Sequence, residues 1–178
     1  MPPADRGYTI DNIHLVGKAI NHMRMDLTHD KFLYYVEMIY KNTYQENNII
    51  NLNPFIITSI IKKRISRLLI SCQVSARNRK EKGRLDCGEY NLDNQVIQEL
   101  IIKQNNKCYF SGLEMVWNTH NNGDLQGSID RIDSNKGYLK NNVTIVCNVV
   151  NTMKLHKTND EFLNFIKQIY NHSIQTKV

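Results

Sequence analysis

The chain nearly repeats itself. Residues 6–42, RGYTIDNIHLVGKAINHMRMDLTHDKFLYYVEMIYKN, align without a gap on residues 136–172, KGYLKNNVTIVCNVVNTMKLHKTNDEFLNFIKQIYNH, at an offset of 130. Of the 37 paired positions 12 are identical, and most others are conservative, such as Ile13/Val143, Leu15/Ile145, Arg24/Lys154 and Tyr35/Phe165. The shared pattern predicts one supersecondary unit, used twice. Gly-Tyr makes a turn, and a short extended piece leads into a helix carrying Asn21 or Asn151. Thr28 or Thr158 then caps a second helix, with Phe, Leu, Ile and Tyr at helical spacing. Two copies are too few for a solenoid. SIDRIDSN precedes the second copy, whereas only MPPAD precedes the first. The first copy therefore cannot hold the same site by itself. It reads as a partial duplication or the tail of a truncated tandem domain, with a role in packing or dimerisation.

Between the copies, NNIINLNPF (47–55) reads as a linker, with Pro54 beginning a helix. Residues 54–82 place apolar side chains at Phe55, Ile57, Ile60, Ile61, Ile65, Leu68 and Leu69, a helical period ended by Lys82-Gly83. Asn91-Leu92-Asp93 starts another helix, with Val96, Ile97, Leu100 and Ile101 on one face, fading at Asn105-Asn106. Cys108–Trp117 reads as a strand broken at Ser111-Gly112, with Tyr109 and Trp117 in the core of a small sheet. Thr119–Gly127 is a polar loop, and Ser128–Asp133 alternates as a second strand. SNKGY turns, with Tyr138 packing the turn, NVTIVC extends, and NVVNTMK begins a helix. Three segments result: 1–46, the partial repeat; 47–104, helical and basic; and 105–178, a finger plus a C-terminal helix. The fold class is α+β, mostly helical with one small strand–strand–helix finger.

The net charge is +6 and the isoelectric point about 9.1, which predicts an anionic partner. Lys62–Arg84 carries nine basic residues and one acid, Glu81. Such a run is either a solvated helical face or a phosphate-binding surface. On the second reading Lys62, Lys63, Arg64, Arg67, Arg77, Arg79, Lys80 and Arg84 contact nucleic acid. No apolar run is long enough for a membrane span, and MPPADRGYT lacks a signal-peptide core, so an intracellular protein is expected. The four cysteines form no CxxC pair, which argues against a zinc knuckle.

CYFSG, SIDRIDSNKGY, NNVTIVCNVVNTMK and TNDEFL, in that order, resemble the HNH-type endonucleases. They look most like the phage and large-virus branch, where S-[IL]-D-R-[IL]-D replaces Asp-His. The resemblance covers roughly residues 75–172. It implies a ββα-metal finger at 105–156 that cuts DNA with one divalent cation, Mg²⁺ or Mn²⁺, in the cytoplasm or nucleus of a host cell. Asp130 and Asn151 would be the metal ligands, Asn142 would brace the loop, and Lys154 would contact phosphate. A hard cation with few protein ligands keeps positions for water and phosphate oxygens, which suits this chemistry.

Two departures from the family pattern bear on that reading. The zinc-binding cysteine pairs of many members are reduced to Cys108 and Cys147, so no structural zinc is expected, and the two thiols would lie side by side in the core. Arg131 stands where better-known members carry the general-base histidine, and arginine cannot accept a proton at usable pH. Asp133, His156 and His120 remain as substitutes, beside activation of water by the metal alone. Asp133 is equally readable as a turn cap, and Arg131 as a phosphate contact or a bidentate brace for Asp133. The rival readings are an inactive DNA-binding or architectural protein on the same scaffold, and a homodimeric interaction module.

Overall fold

The computed structural model describes residues 17–45, 55–84, 86–117 and 123–175. The elements in chain order are α1 (Lys18–Arg24), α2 (His29–Tyr44), α3 (Ser59–Glu81), α4 (Asn94–Lys103), β1 (Gly127–Arg131), β2 (Val143–Cys147), α5 (Asn148–Lys154) and α6 (Asn159–Gln175). A single 3-10 turn, Asp86–Gly88, lies between α3 and α4. The class is α+β: among the described residues, helices surround one antiparallel hairpin, β1–β2, in which Ile129 pairs with Ile145 and Asp130 with Thr144. No helix among the described residues is long and apolar enough to cross a membrane.

The repeat is visible as structure. Shifting α1 by 130 residues reproduces α5, and shifting the start of α2 reproduces the start of α6. α1 ends on Met25 at φ 48°, and α5 ends on Leu155 at φ 55°. The same left-handed corner, uncommon for either residue type, closes both helices. Thr28 accepts from the Lys31 amide to cap α2. Thr158 accepts from the Glu161 amide, and the Glu161 carboxylate accepts back from the Thr158 amide at 2.8 Å. That reciprocal box satisfies two orphan donors at once. Equivalent elements also pack on each other, α1 on α5 and α2 on α6. Tyr40 stacks on its counterpart Tyr170 with ring centroids 3.9 Å apart. Met23/Met153, Phe32/Phe162, Val36/Ile166 and Ile39/Ile169 are all buried. Like surfaces meeting like is the geometry of a two-fold interface, here inside one chain. One apolar cluster runs through all three sequence segments.

Two expectations shift. α3 begins at Ser59 rather than Pro54, because the Thr58 side chain accepts from Ile61 N and fixes the start there. Pro54, the rest of the expected linker up to it, and the first copy's Gly-Tyr turn lie outside the described residues. Cys108–Trp117 forms no strand. Cys108–Gly112 is a turn, closed by Gly112 N donating to Cys108 O with Gly112 at φ 66°. Leu113–Trp117 then meets its neighbours only through isolated bridges, Lys107 with Glu114 and Val116 with Gln126. Side chains replace the missing ladder. Asn106 Nδ2 donates to Met115 O and Asn106 Oδ1 accepts from the Trp117 indole at 2.6 Å. Gln104 Nε2 donates to Ile145 O, and Gln104 Oε1 accepts from Ile145 N, which binds the outer edge of β2. Trp117 is buried as expected, but Tyr109 is 53% exposed and is not a core residue.

Candidate functional site

Successive residues of a strand face opposite sides. On β1 this separates Asp130 from Arg131. Asp130 turns toward α5, where the Lys154 ammonium lies 3.0 Å from Oδ2 and 3.4 Å from Oδ1. The same ammonium donates to the Arg131 carbonyl at 2.6 Å. Lys154 is 0% exposed and Asp130 4%. Burial pushes the Asp130 carboxyl up from its ordinary range, and the neighbouring ammonium opposes that rise. Asp130 Oδ2 accepts no well-formed hydrogen bond, because the ammonium meets it off the hydrogen-bonding direction.

Asn151 lies one helical turn before Lys154 and so shares its face of α5. Its Nδ2 donates to Ser128 Oγ at 2.8 Å and to the Ile129 carbonyl at 3.4 Å. Ser128 shares a strand face with Asp130. The structure therefore brings Asp130, Asn151 and Lys154 to one interface between strand and helix. Lys154, expected at a phosphate, is sealed from solvent and serves instead as the counter-ion of Asp130.

Asn142 spans the β1–β2 loop. Its Nδ2 donates to Gly137 O at 2.8 Å and Asp133 O at 3.0 Å, and its Oδ1 accepts from Asp133 N at 2.9 Å. Asp133 caps the turn, accepting from Asn135 N at 2.9 Å, with the Lys136 ammonium 3.7 Å away. The expected brace between Arg131 and Asp133 is not formed. Arg131 Nη1 donates to the Ser134 and Lys136 carbonyls at 2.7 and 2.8 Å, because the turn points those oxygens at it. Gly137 is required in this turn: a Cβ there would strike the Glu89 carbonyl. Family models, curated proteins and solved structures give no match to the chain.

The eight predicted phosphate contacts do not form one patch. Arg79 and Arg84 join Arg131, Ser134, Asn135 and His156 around an open cleft of about 720 Å³, whose one carboxylate is Asp86. Arg77 and Lys80 line a second cleft of about 730 Å³ with Gln73, Tyr90 and Asn91. Lys62, Lys63 and Arg67 are exposed and Arg64 half-buried near the other end of α3. Lys62 and Lys80 are separated by about 27 Å of helix, at 1.5 Å per residue. His120 lies outside the described residues. Cys108 and Cys147 are buried free thiols in hydrogen-bond contact.

Among the described residues no group of three or more His, Cys, Asp and Glu converges. Asp130 and Asn151 offer one carboxylate and one amide oxygen, since the amide nitrogen of Asn151 is already used. This donor set fits a hard divalent ion in type, and the orphaned Asp130 Oδ2 gives it an acceptor. The ion and the Lys154 ammonium would compete for the same carboxylate.

Three structural residues escaped the sequence reading. Asp124 accepts from the Tyr35 hydroxyl at 2.9 Å and pairs with Lys31, tying α2 to the segment before β1. Gln104 and Asn106 hold the irregular edge. Nothing local marks these contacts, since each depends on a partner distant in sequence.

Proposed function

We propose that this chain is a metal-dependent DNA endonuclease of HNH type. One observation carries the reading: β1, β2 and α5 follow each other directly, and Asp130 of β1 and Asn151 of α5 occupy the interface between them. Asp130 and the Asn151 carbonyl oxygen would hold the cation, Mg²⁺ or Mn²⁺. When bound, that cation supplies charge stabilisation for a scissile phosphate and its leaving 3′ oxygen. The chain's own residues do the remaining work. Lys154 opposes the burial that disfavours the ionised form of Asp130 and fixes the carboxylate's position. Asn142 holds the loop that follows β1. Arg131 supplies positive charge on the opposite strand face and takes no proton. Asp133 is committed to its turn, and exposed His156 lies in the cleft beside Arg131 on the other face of β1, so neither side chain stands at the Asp130–Asn151 interface.

The closed Asp130–Lys154 pair favours a second reading, a DNA-binding protein that does not cut. Incubation of supercoiled plasmid with Mg²⁺ or Mn²⁺ separates the two. Wild type is expected to nick, and Asp130→Ala and Asn151→Ala to lose nicking. Asn151→Ala leaves the ion pair intact, so its loss of activity is not a loss of fold. Identical nicking by wild type and both variants would sink the metal assignment. A gel shift without nicking would establish the second reading.

A further inference from the structure

The cleft beside β1 is built around a ring rather than a carboxylate. The Arg131 guanidinium lies 5.3 Å from the centroid of Tyr138, and the Arg79 guanidinium lies 5.5 Å from the same centroid. The Arg79 charge disfavours the charged form of the Arg131 guanidinium. Among the described residues the ion pairs are those of Lys31, Lys41, Arg77, Lys136, Lys140 and Lys154, so no carboxylate pairs with Arg79, Arg84 or Arg131. Arg131 is only 7% exposed and is held in place by two backbone carbonyls. Arg79 Nη1 is buried without a hydrogen-bond acceptor. Arg84 and His156 are exposed at the rim, and Asp86 is the only acid in the lining.

Bringing like charges together around an aromatic face is unfavourable unless something compensates it. A tetrahedral anion does so, because its several oxygens accept from several guanidinium forks at once. The three arginines and Asp86 together carry a formal charge of +2. That matches a dianionic phosphate monoester, or two neighbouring phosphodiesters. The cleft's volume of about 720 Å³ accommodates a phosphate together with the nucleoside it belongs to. From this we infer that the Arg79–Arg84–Arg131 cleft is a phosphoryl-binding site, distinct from the Asp130 interface and separated from it by the thickness of β1. The ligand is a phosphate ester of a nucleic acid strand, either a terminal monoester or a backbone diester. The site stands whether or not cleavage occurs at Asp130.

The test is binding of a short single-stranded oligonucleotide, with and without a 5′-phosphate, by fluorescence anisotropy. The full chain, Arg84→Gln and Arg79→Gln would be compared, with inorganic phosphate as competitor. Arg84 is exposed and forms no ion pair among the described residues, so Arg84→Gln is expected to melt with the wild type. A terminal-monoester site gives at least tenfold tighter binding of the phosphorylated strand, and that advantage disappears in both variants. A diester site gives equal affinity for the two strands, weakened about fivefold or more by either variant. Both patterns include competition by millimolar phosphate. Unchanged affinity in both variants, or no competition by phosphate, would overturn the proposal. The plasmid assay reads the Asp130 chemistry separately, so failure of one leaves the other standing.

Discussion

Lys154 has the environment least expected of its residue type. Lysine is almost never fully buried unless paired, and here the ammonium donates to Asp130 Oδ1 and the Arg131 carbonyl and lies 3.0 Å from Asp130 Oδ2. Removing one member of such a pair strands a charge in a dry interface. Lys154→Met should therefore lower stability by about 3–5 kcal/mol in urea denaturation. Asp130→Asn combined with Lys154→Met should lose clearly less than the sum of the single changes, because no charge is left behind. A single substitution that costs under about 1 kcal/mol would mean the pair is open to water. The sequence offered Asp130, Asn151 and Lys154 as a group. It did not reveal that lysine faces the carboxylate instead of solvent, because burial is set by elements that meet only in the fold. Arg131 illustrates the same limit. Its place next to Asp130 in sequence suggested shared chemistry, whereas strand alternation puts it in a different site.

At the level of elements, the regular parts were legible and the irregular edge was not. α4 starts with Asp93 accepting from Val96 N, where the Asn-Leu-Asp signal predicted a helix start. Both copies of the repeat yield their helices at the expected offsets. Leu113–Trp117 failed as a strand because Gln104 and Asn106 provide partners that a propensity reading assigns to backbone. The attachment of α2 to the finger was equally invisible. There, burial works to raise the Asp124 carboxyl, but Lys31 and Tyr35 together hold it below its ordinary value. A carboxyl with a depressed folded pKa contributes stability above its unfolded value, about 3.9. That contribution fades as pH falls through the lower folded value. Acid titration followed by circular dichroism should show wild type losing stability across this window. Asp124→Asn should start less stable at neutral pH and change less on acidification. Parallel acid curves for the two proteins would remove Asp124 from the account.

Across the whole molecule, the first copy of the repeat serves as the packing partner of the second. Its helices cover α5 and α6 with the residues that α5 and α6 themselves present. Tyr40 and Tyr170 test this directly. Stacked aromatic pairs are worth about 0.5–1.5 kcal/mol beyond their burial. A double-mutant cycle of Tyr40→Ala and Tyr170→Ala should return a coupling of that size, and strict additivity would show that the two copies do not pack through this stack. The α6 face that carries Phe162, Ile166 and Ile169 is therefore covered within the chain. The separation of Asp130 from Arg131 also carries a consequence for folding. A β-hairpin that slips by one residue exchanges its two faces. On β1 that slip would press a guanidinium against the Lys154 ammonium and turn Asp130 out of its pocket. A slip by two would set Ser128 or Ile132 before the buried ammonium and leave it without a counter-charge. The adjacent pair of opposite charges thus acts as a key for the hairpin, admitting one alignment of its strands and rejecting its neighbours by electrostatics.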